Sequence, residues 1–130
     1  SRVLDTIEDL VEARIRNARL LDEGLKGIES CIRPPHRPEG NREVYQLYLA
    51  TATRRDELVR FLTARGVEAK VHYPIPLHLQ EAAGYLGYGP GDFPVCEDHC
   101  KSIISLPVHQ HLTDDEISYT IEHLRKFYSA

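Results

Sequence analysis

Methionine and tryptophan are absent from this 130-residue chain, and cysteine occurs only at Cys31, Cys96 and Cys100. Three thiols leave one unpaired in any disulfide scheme, so a reducing, cytoplasmic setting is expected. No apolar run approaches the ~20 residues that span a bilayer, and no signal-peptide pattern opens the chain, so no membrane partner is expected. Basic residues are also in deficit: 16 Lys and Arg face 20 Asp and Glu, a net charge of −4. They alternate with acids instead of clustering, which argues against a nucleic-acid partner, because phosphate-backbone affinity comes from grouped cations. No internal repeat or low-complexity tract occurs. The chain opens on Ser1 and enters a helical pattern almost at once, so a piece of a longer protein is the expectation.

What is present is an ordinary single-domain composition, 42% hydrophobic and 28% charged. Leu4, Ile7, Leu10, Val11, Ile15, Ala18 and Leu21 recur at three- and four-residue spacings, the stripe of a long amphipathic helix that Gly24 and Gly27 end. Residues 33–42 carry three prolines and a glycine and read as a loop. Val44–Thr51 reads as a strand with Tyr45, Leu47 and Leu49 on one face. Thr53–Arg65 reads as a helix with Thr53 and Asp56 at capping-box spacing and Gly66 at its stop. A second strand is expected over Val67–Tyr73, with Val67, Ala69, Val71 and Tyr73 on one face. Beyond Pro74 and Pro76 come a short helix near His78–Tyr85 and a turn at Gly87–Gly91. Asp92 then caps a helix through about Lys101, and Ser102–Leu106 forms a third strand. Thr113 and Glu116 make a capping box for the last helix, whose stripe is Ile117, Ile121, Leu124 and Tyr128. Short strands between helices predict an α/β (α+β) two-layer sandwich with helices over a three-stranded sheet.

Two clusters invite chemistry. His72-Tyr73-Pro74-Ile75-Pro76-Leu77-His78 places imidazole and phenol groups on a proline-stiffened corner, where they can hydrogen-bond hydroxyl or phosphate oxygens. The structural alternative is that Tyr73 is a core aromatic and His78 packs locally. Cys96-x-x-His99-Cys100, with His109 and His111 nearby, has a spacing compatible with zinc. However, Cys96 and Cys100 lie one turn apart on the expected buried side of a helix, where cysteine acts as a small hydrophobe, so no metal site is assigned. Glu97 and Asp98 beside Cys96 oppose a thiolate nucleophile. Asp114, Asp115 and Glu116 sit in the first turn of a helix, where its dipole explains them.

The segments YPIPLH, GDFPVCE and SLPVHQHLT, with the closing helix and TRRDELVRFLTARGVEAKVHYP, occur in one order from about Arg14 to Tyr128. In this combination the chain resembles the C-terminal third of the DegT/DnrJ/StrS sugar-nucleotide aminotransferases. The resemblance implies the small C-terminal domain of a type I pyridoxal phosphate enzyme. Residues 1–27 would form a linking helix, 28–130 the small domain, and the large cofactor domain would lie outside this chain. It further implies a homodimer with its active site at the subunit interface. There an amino group passes from glutamate or glutamine to a keto-sugar nucleotide or a cyclitol ketone. The family's cofactor lysine lies in an S-x-x-K setting, and none of Lys26, Lys70, Lys101 or Lys126 fits it. No Gly-rich turn for the cofactor phosphate occurs either. No catalytic or cofactor-binding residue is therefore assigned, no bound cofactor is expected on this chain alone, and it is not expected to transaminate by itself. His72, Tyr73 and His78 are the substrate-binding candidates, because the corner they occupy borders the cleft in the family. Cys96 and Cys100 depart from the small apolar residues more usual there. The rival reading is a non-catalytic dimerisation or binding module descended from such a domain, with its partner surface on the Leu4–Leu21 stripe.

Overall fold

The computed structural model describes residues 2–129, with side chains from Thr6 onward. Its elements, in chain order, are α1 (Arg2–Leu25), β1 (Ile32–Arg33), β2 (Tyr48–Ala52), α2 (Arg55–Thr63), α3 (Pro94–Ser102), β3 (Ile103–Leu106) and α4 (Asp114–Tyr128). The strands form one antiparallel sheet in the order β1-β2-β3, with Ile32 opposite Ala52, Ala50 opposite Ile104 and Tyr48 opposite Leu106. Those six side chains share one face and are buried, because alternate residues of a strand point the same way. α1, α2 and α4 cover that face. Ile15, Ala18, Leu21 and Leu25 of α1 join Leu58 and Leu62 of α2 and Ile117, Leu124 and Phe127 of α4 in one core. The α+β sandwich with a three-stranded sheet is thus observed.

The helix ends show how the layers are tied. Thr113 Oγ1 accepts from the Glu116 amide at 3.3 Å while Glu116 Oε2 accepts from the Thr113 amide at 2.8 Å, so the expected capping box forms at α4. Arg125, near the other end of α4, donates to the Gly24 and Lys26 carbonyls at 3.0 and 2.9 Å. It thereby satisfies carbonyls left open where α1 stops. Gly24 lies in the last turn of α1, one residue before its end. A Cβ there would stand 2.5 Å from two carbons of Ile121, so glycine lets α1 and α4 approach closely.

Asp22 of α1 is a second tie. Its carboxylate accepts from the buried Tyr48 hydroxyl at 2.6 Å and from Arg37 at 2.5 Å, and Arg37 also reaches Glu43 at 3.0 Å. The Arg37 guanidinium lies over the Tyr45 and Tyr48 rings, 5.1 and 5.5 Å from their centroids. Burial, then the bond to Asp22, push the Tyr48 hydroxyl far above the ordinary range.

Several expectations fail for tertiary reasons. Only the second half of the first helix stripe is covered: Ile7 and Leu10 are 50% and 39% exposed, while the Leu4 side chain lies outside the described residues. β2 begins at Tyr48 rather than Val44, and Tyr48, Ala50 and Ala52 point inward instead of Leu47 and Leu49. Tyr45 is buried too, but through a left-handed turn (φ 48°) whose carbonyl Arg14 holds at 3.1 Å. The expected strand over Val67–Tyr73 is not a strand. The Val67 amide goes back to the Leu62 carbonyl and the Ala69 amide to Val67, so only Lys70 exchanges both backbone bonds, with Ser105. The pairing position on the other side of β2 is taken by β1, two residues expected to lie in or beside a loop. Thr53 does not cap α2. Its hydroxyl and amide both go to the Cys31 carbonyl, and Arg54 takes the cap position with φ 51°. Nor does Asp92 cap α3, since its carboxylate accepts from the Gly89 amide and Phe93 stands at the cap. The expected short helix is two 3₁₀ turns, Leu77–Leu79 and Glu81–Leu86.

Candidate functional site

The face of the sheet opposite the helical layer carries Arg33, Leu49, Thr51, Ile103 and Ser105. α3 and the 70–73 segment border this face without filling it. Between them runs a mainly apolar groove of about 540 Å³, bounded by His72 and Tyr73 on one side and by Phe93, Cys96, His99 and Cys100 on the other, with Ile103 also lining it. A smaller hollow of about 210 Å³ adjoins His72, and its lining is mixed: Arg14, Gln46, Lys70, Ser105 and His109 with Leu47, Leu106, Pro107 and Val108. His72 lines both hollows.

Chain direction and backbone pairing explain why His72 is there. Lys70 pairs with Ser105, donating to its carbonyl at 3.0 Å and accepting from its amide at 2.8 Å. This fixes the chain two residues before His72 against β3. The His72 Nδ1 atom then lies 2.8 Å from the Ser105 hydroxyl. The peptide between His72 and Tyr73 is cis, and the two rings stand edge to face with centroids 5.6 Å apart. Tyr73 is 67% exposed, so the reading of it as a core aromatic is overturned.

His78 has a different setting. It is buried, and its Nε2 lies 3.2 Å from Glu97 Oε1. Its ring packs 4.7 Å from the Phe93 centroid, and it does not line the groove. Glu97 Oε1 also accepts from the Gly91 amide at 2.8 Å and the Phe93 amide at 3.4 Å. The Gly91 amide first, then the Phe93 amide and His78, hold the Glu97 carboxyl below its ordinary value despite some desolvation. The hub seats Phe93 in the groove wall, with Tyr88 edge-on to it at 4.9 Å. Thus the structure brings His72 and Tyr73 together at the groove and sets His78 behind its wall.

α3 itself is more open than the sequence predicts: Cys96 is exposed and Cys100 half-buried, not packed on an inner side. Burial and the neighbouring Cys96 push the Cys100 thiol up, which disfavours the thiolate a nucleophile needs. Among the described residues, no group of three His, Cys, Asp or Glu side chains is placed to hold a metal ion. Arg55 was missed by sequence reasoning altogether. Buried at the start of α2, it donates to the Cys100 and Ile103 carbonyls at 3.1 and 2.8 Å and so anchors the end of α3 to β3. Glu97 and Ser105 were missed as well, since their partners lie 19 and 33 residues away.

A family model described as the DegT/DnrJ/EryC1/StrS aminotransferase family matches residues 1–125. The chain belongs to that family. It is 36% identical over 110 residues to a Geobacillus stearothermophilus protein named "Pleiotropic regulatory protein", covering 85% of this chain and 29% of the relative. It is 34% identical over 106 residues to dTDP-3-amino-3,4,6-trideoxy-alpha-D-glucose transaminase of Streptomyces venezuelae, covering 80% and 27%. S. venezuelae DesV, whose crystal structure holds a ketimine intermediate, superposes with a TM-score of 0.90 at 29% identity, over 95% of this chain and 33% of that one. The chain therefore spans about a third of the length of these relatives.

A pyridoxal cofactor needs a lysine amine held in a sheltered pocket to form its imine link. Lys26, Lys70 and Lys101 are each more than half exposed and paired with Glu23, Glu68 and Asp98. Lys126 lies on the exposed side of α4. Among the described residues, this donor set does not fit the cofactor.

Proposed function

We propose that this chain is the small C-terminal domain (residues 28–130, led in by the helix of residues 1–27) of a pyridoxal phosphate-dependent aminotransferase. The intact enzyme would move an amino group from glutamate or glutamine to a keto-sugar nucleotide, or to a cyclitol ketone, as a cytoplasmic homodimer. The observation that carries this reading is the family match over residues 1–125 on a chain only a third as long as its relatives. The half-uncovered stripe of α1, with Ile7 and Leu10 open, supports a helix shared with a further domain. The cofactor and its lysine belong, on this reading, to the part of the enzyme outside this chain.

This domain would supply one wall of the substrate cleft. His72, whose Nε2 has no protein partner among the described residues, and Tyr73, with an exposed ring, face the substrate. His78 serves the same site from behind by holding Glu97 and, through it, Phe93. An apolar groove beside a hollow that carries Arg14, Gln46, Lys70 and His109 suits a sugar ring flanked by hydroxyl and phosphate oxygens.

Antibodies raised against this chain test the reading by the size of the native species they detect. A polypeptide about three times this length, as the 33% share implies, supports it. A native species of the chain's own size would favour the non-catalytic module instead. In the intact enzyme, His72→Ala and Tyr73→Phe should each raise KM for the keto-sugar nucleotide. Unchanged KM and kcat in both would remove the site assignment.

A further inference from the structure

Ser105 is 4% exposed, and among the described residues its hydroxyl has one side-chain partner, His72 Nδ1, at 2.8 Å. Its backbone is doubly held. It lies opposite Leu49 in the sheet and exchanges both backbone bonds with Lys70 on the other side. This pairing fixes the face of the sheet from which Oγ projects, the face that His72 borders. The direction of the bond follows from satisfaction of buried polar groups. A hydroxyl that merely accepted from Nδ1–H would have no protein acceptor for its own O–H among the described residues and would depend on solvent in the smaller hollow, which Ser105 lines. A hydroxyl that donates to Nδ1 leaves only a lone pair unused, which costs less. In the neutral imidazole an acceptor at Nδ1 requires the proton on Nε2.

Resting on the aminotransferase reading above, we infer that Ser105 is a positioning residue. Its hydroxyl donates to His72 Nδ1 and fixes the ring in the Nε2–H tautomer, so that the site offers substrate a hydrogen-bond donor. The group recognised is then an acceptor oxygen, a sugar hydroxyl, carbonyl or phosphate oxygen, and not a donor such as an ammonium. The two hollows that meet at His72 are the spaces from which such an oxygen can approach.

Long-range ¹H–¹⁵N correlation spectra of histidine-labelled chain, recorded where imidazole is neutral, read the tautomer without any substitution. The expected pattern has His72 Nδ1 unprotonated and Nε2 protonated. A dominant Nδ1–H form overturns the proposal. Ser105→Ala should move His72 toward a mixture of tautomers, and Ser105→Thr, which keeps the hydroxyl, should restore the pattern. In the intact enzyme, Ser105→Ala should raise KM for the keto-sugar nucleotide roughly 2- to 10-fold with kcat changed less, at most the scale of one hydrogen bond. Ser105→Thr should recover most of that. If His72→Ala raises KM but Ser105→Ala does not, the positioning role fails while the site assignment stands. If neither raises KM, the site assignment fails, whatever the tautomer.

Discussion

Asp22→Ala and Tyr48→Phe attack the same hydrogen bond from its two ends, and the structure predicts that they are far from equivalent. Tyr48 is fully buried, and its hydroxyl donates to Asp22 at 2.6 Å. Removing the phenolic oxygen deletes the donor, while Asp22 keeps Arg37 at 2.5 Å. The expected loss is about 0.5–1.5 kcal/mol, the net value of one hydrogen bond. Asp22→Ala instead leaves the phenol in place with no acceptor, about 1–3 kcal/mol. It also breaks an ion pair whose partners are only 27% and 29% exposed. Because Arg37 retains Glu43 at 3.0 Å, that second loss is about 1 kcal/mol. Alanine returns a few tenths of a kcal/mol of helix propensity. The balance puts Asp22→Ala at about 1.5–3.5 kcal/mol. The double variant should cost less than the sum of the two by about 1–2 kcal/mol, since the orphaned hydroxyl no longer exists. Urea unfolding followed by far-ultraviolet circular dichroism measures all three. Equal losses in the two single variants, or strict additivity in the double, would refute the argument that the orphaned hydroxyl is the main penalty.

Three further outcomes follow from the fold and the site. Gly24→Ala should destabilise by about 1–3 kcal/mol, because its Cβ meets Ile121 at 2.5 Å between two packed helices. A thermal melt unchanged from the parent would mean that α1 and α4 do not approach so closely. The folded-state carboxyl of Glu97 is lowered from the ordinary 4.5, as are those of Glu29, Glu68 and Glu116. Groups of that kind stabilise above their unfolded value, and the contribution is lost as pH falls below 4.5. Glu97→Gln should therefore flatten the acid side of the stability profile, whereas a slope identical to the parent's would count against the Gly91–Phe93–His78 hub. In the intact enzyme His78→Ala should weaken substrate binding and alter the near-ultraviolet aromatic signal together, through Phe93, unlike His72→Ala, which should leave that signal nearly unchanged.

The features legible without the structure are local in origin or carried by the ordered set of motifs. α4 and its Thr113–Glu116 box, the existence of α1, and the loop after Pro34 follow from interactions between residues three or four apart, or from the rigidity of proline. The family, too, was legible, because several rare segments occur together and in order. Long-range packing sets which half of the α1 stripe is covered, since burial depends on α4 and β2, which lie far along the chain. It also shifted the inward face of β2 to Tyr48, Ala50 and Ala52, through Arg14 and Arg37 acting on Tyr45. The same non-local pairing confined the 67–73 segment to a single bridge at Lys70, once the Val67 and Ala69 amides had closed local turns. In the site, a histidine-rich corner could be seen in the sequence, but not the division of labour within it. His72 meets Ser105 across 33 residues and His78 meets Glu97 across 19. No local pattern encodes such bonds, because their partners become neighbours only when the sheet and α3 have assembled.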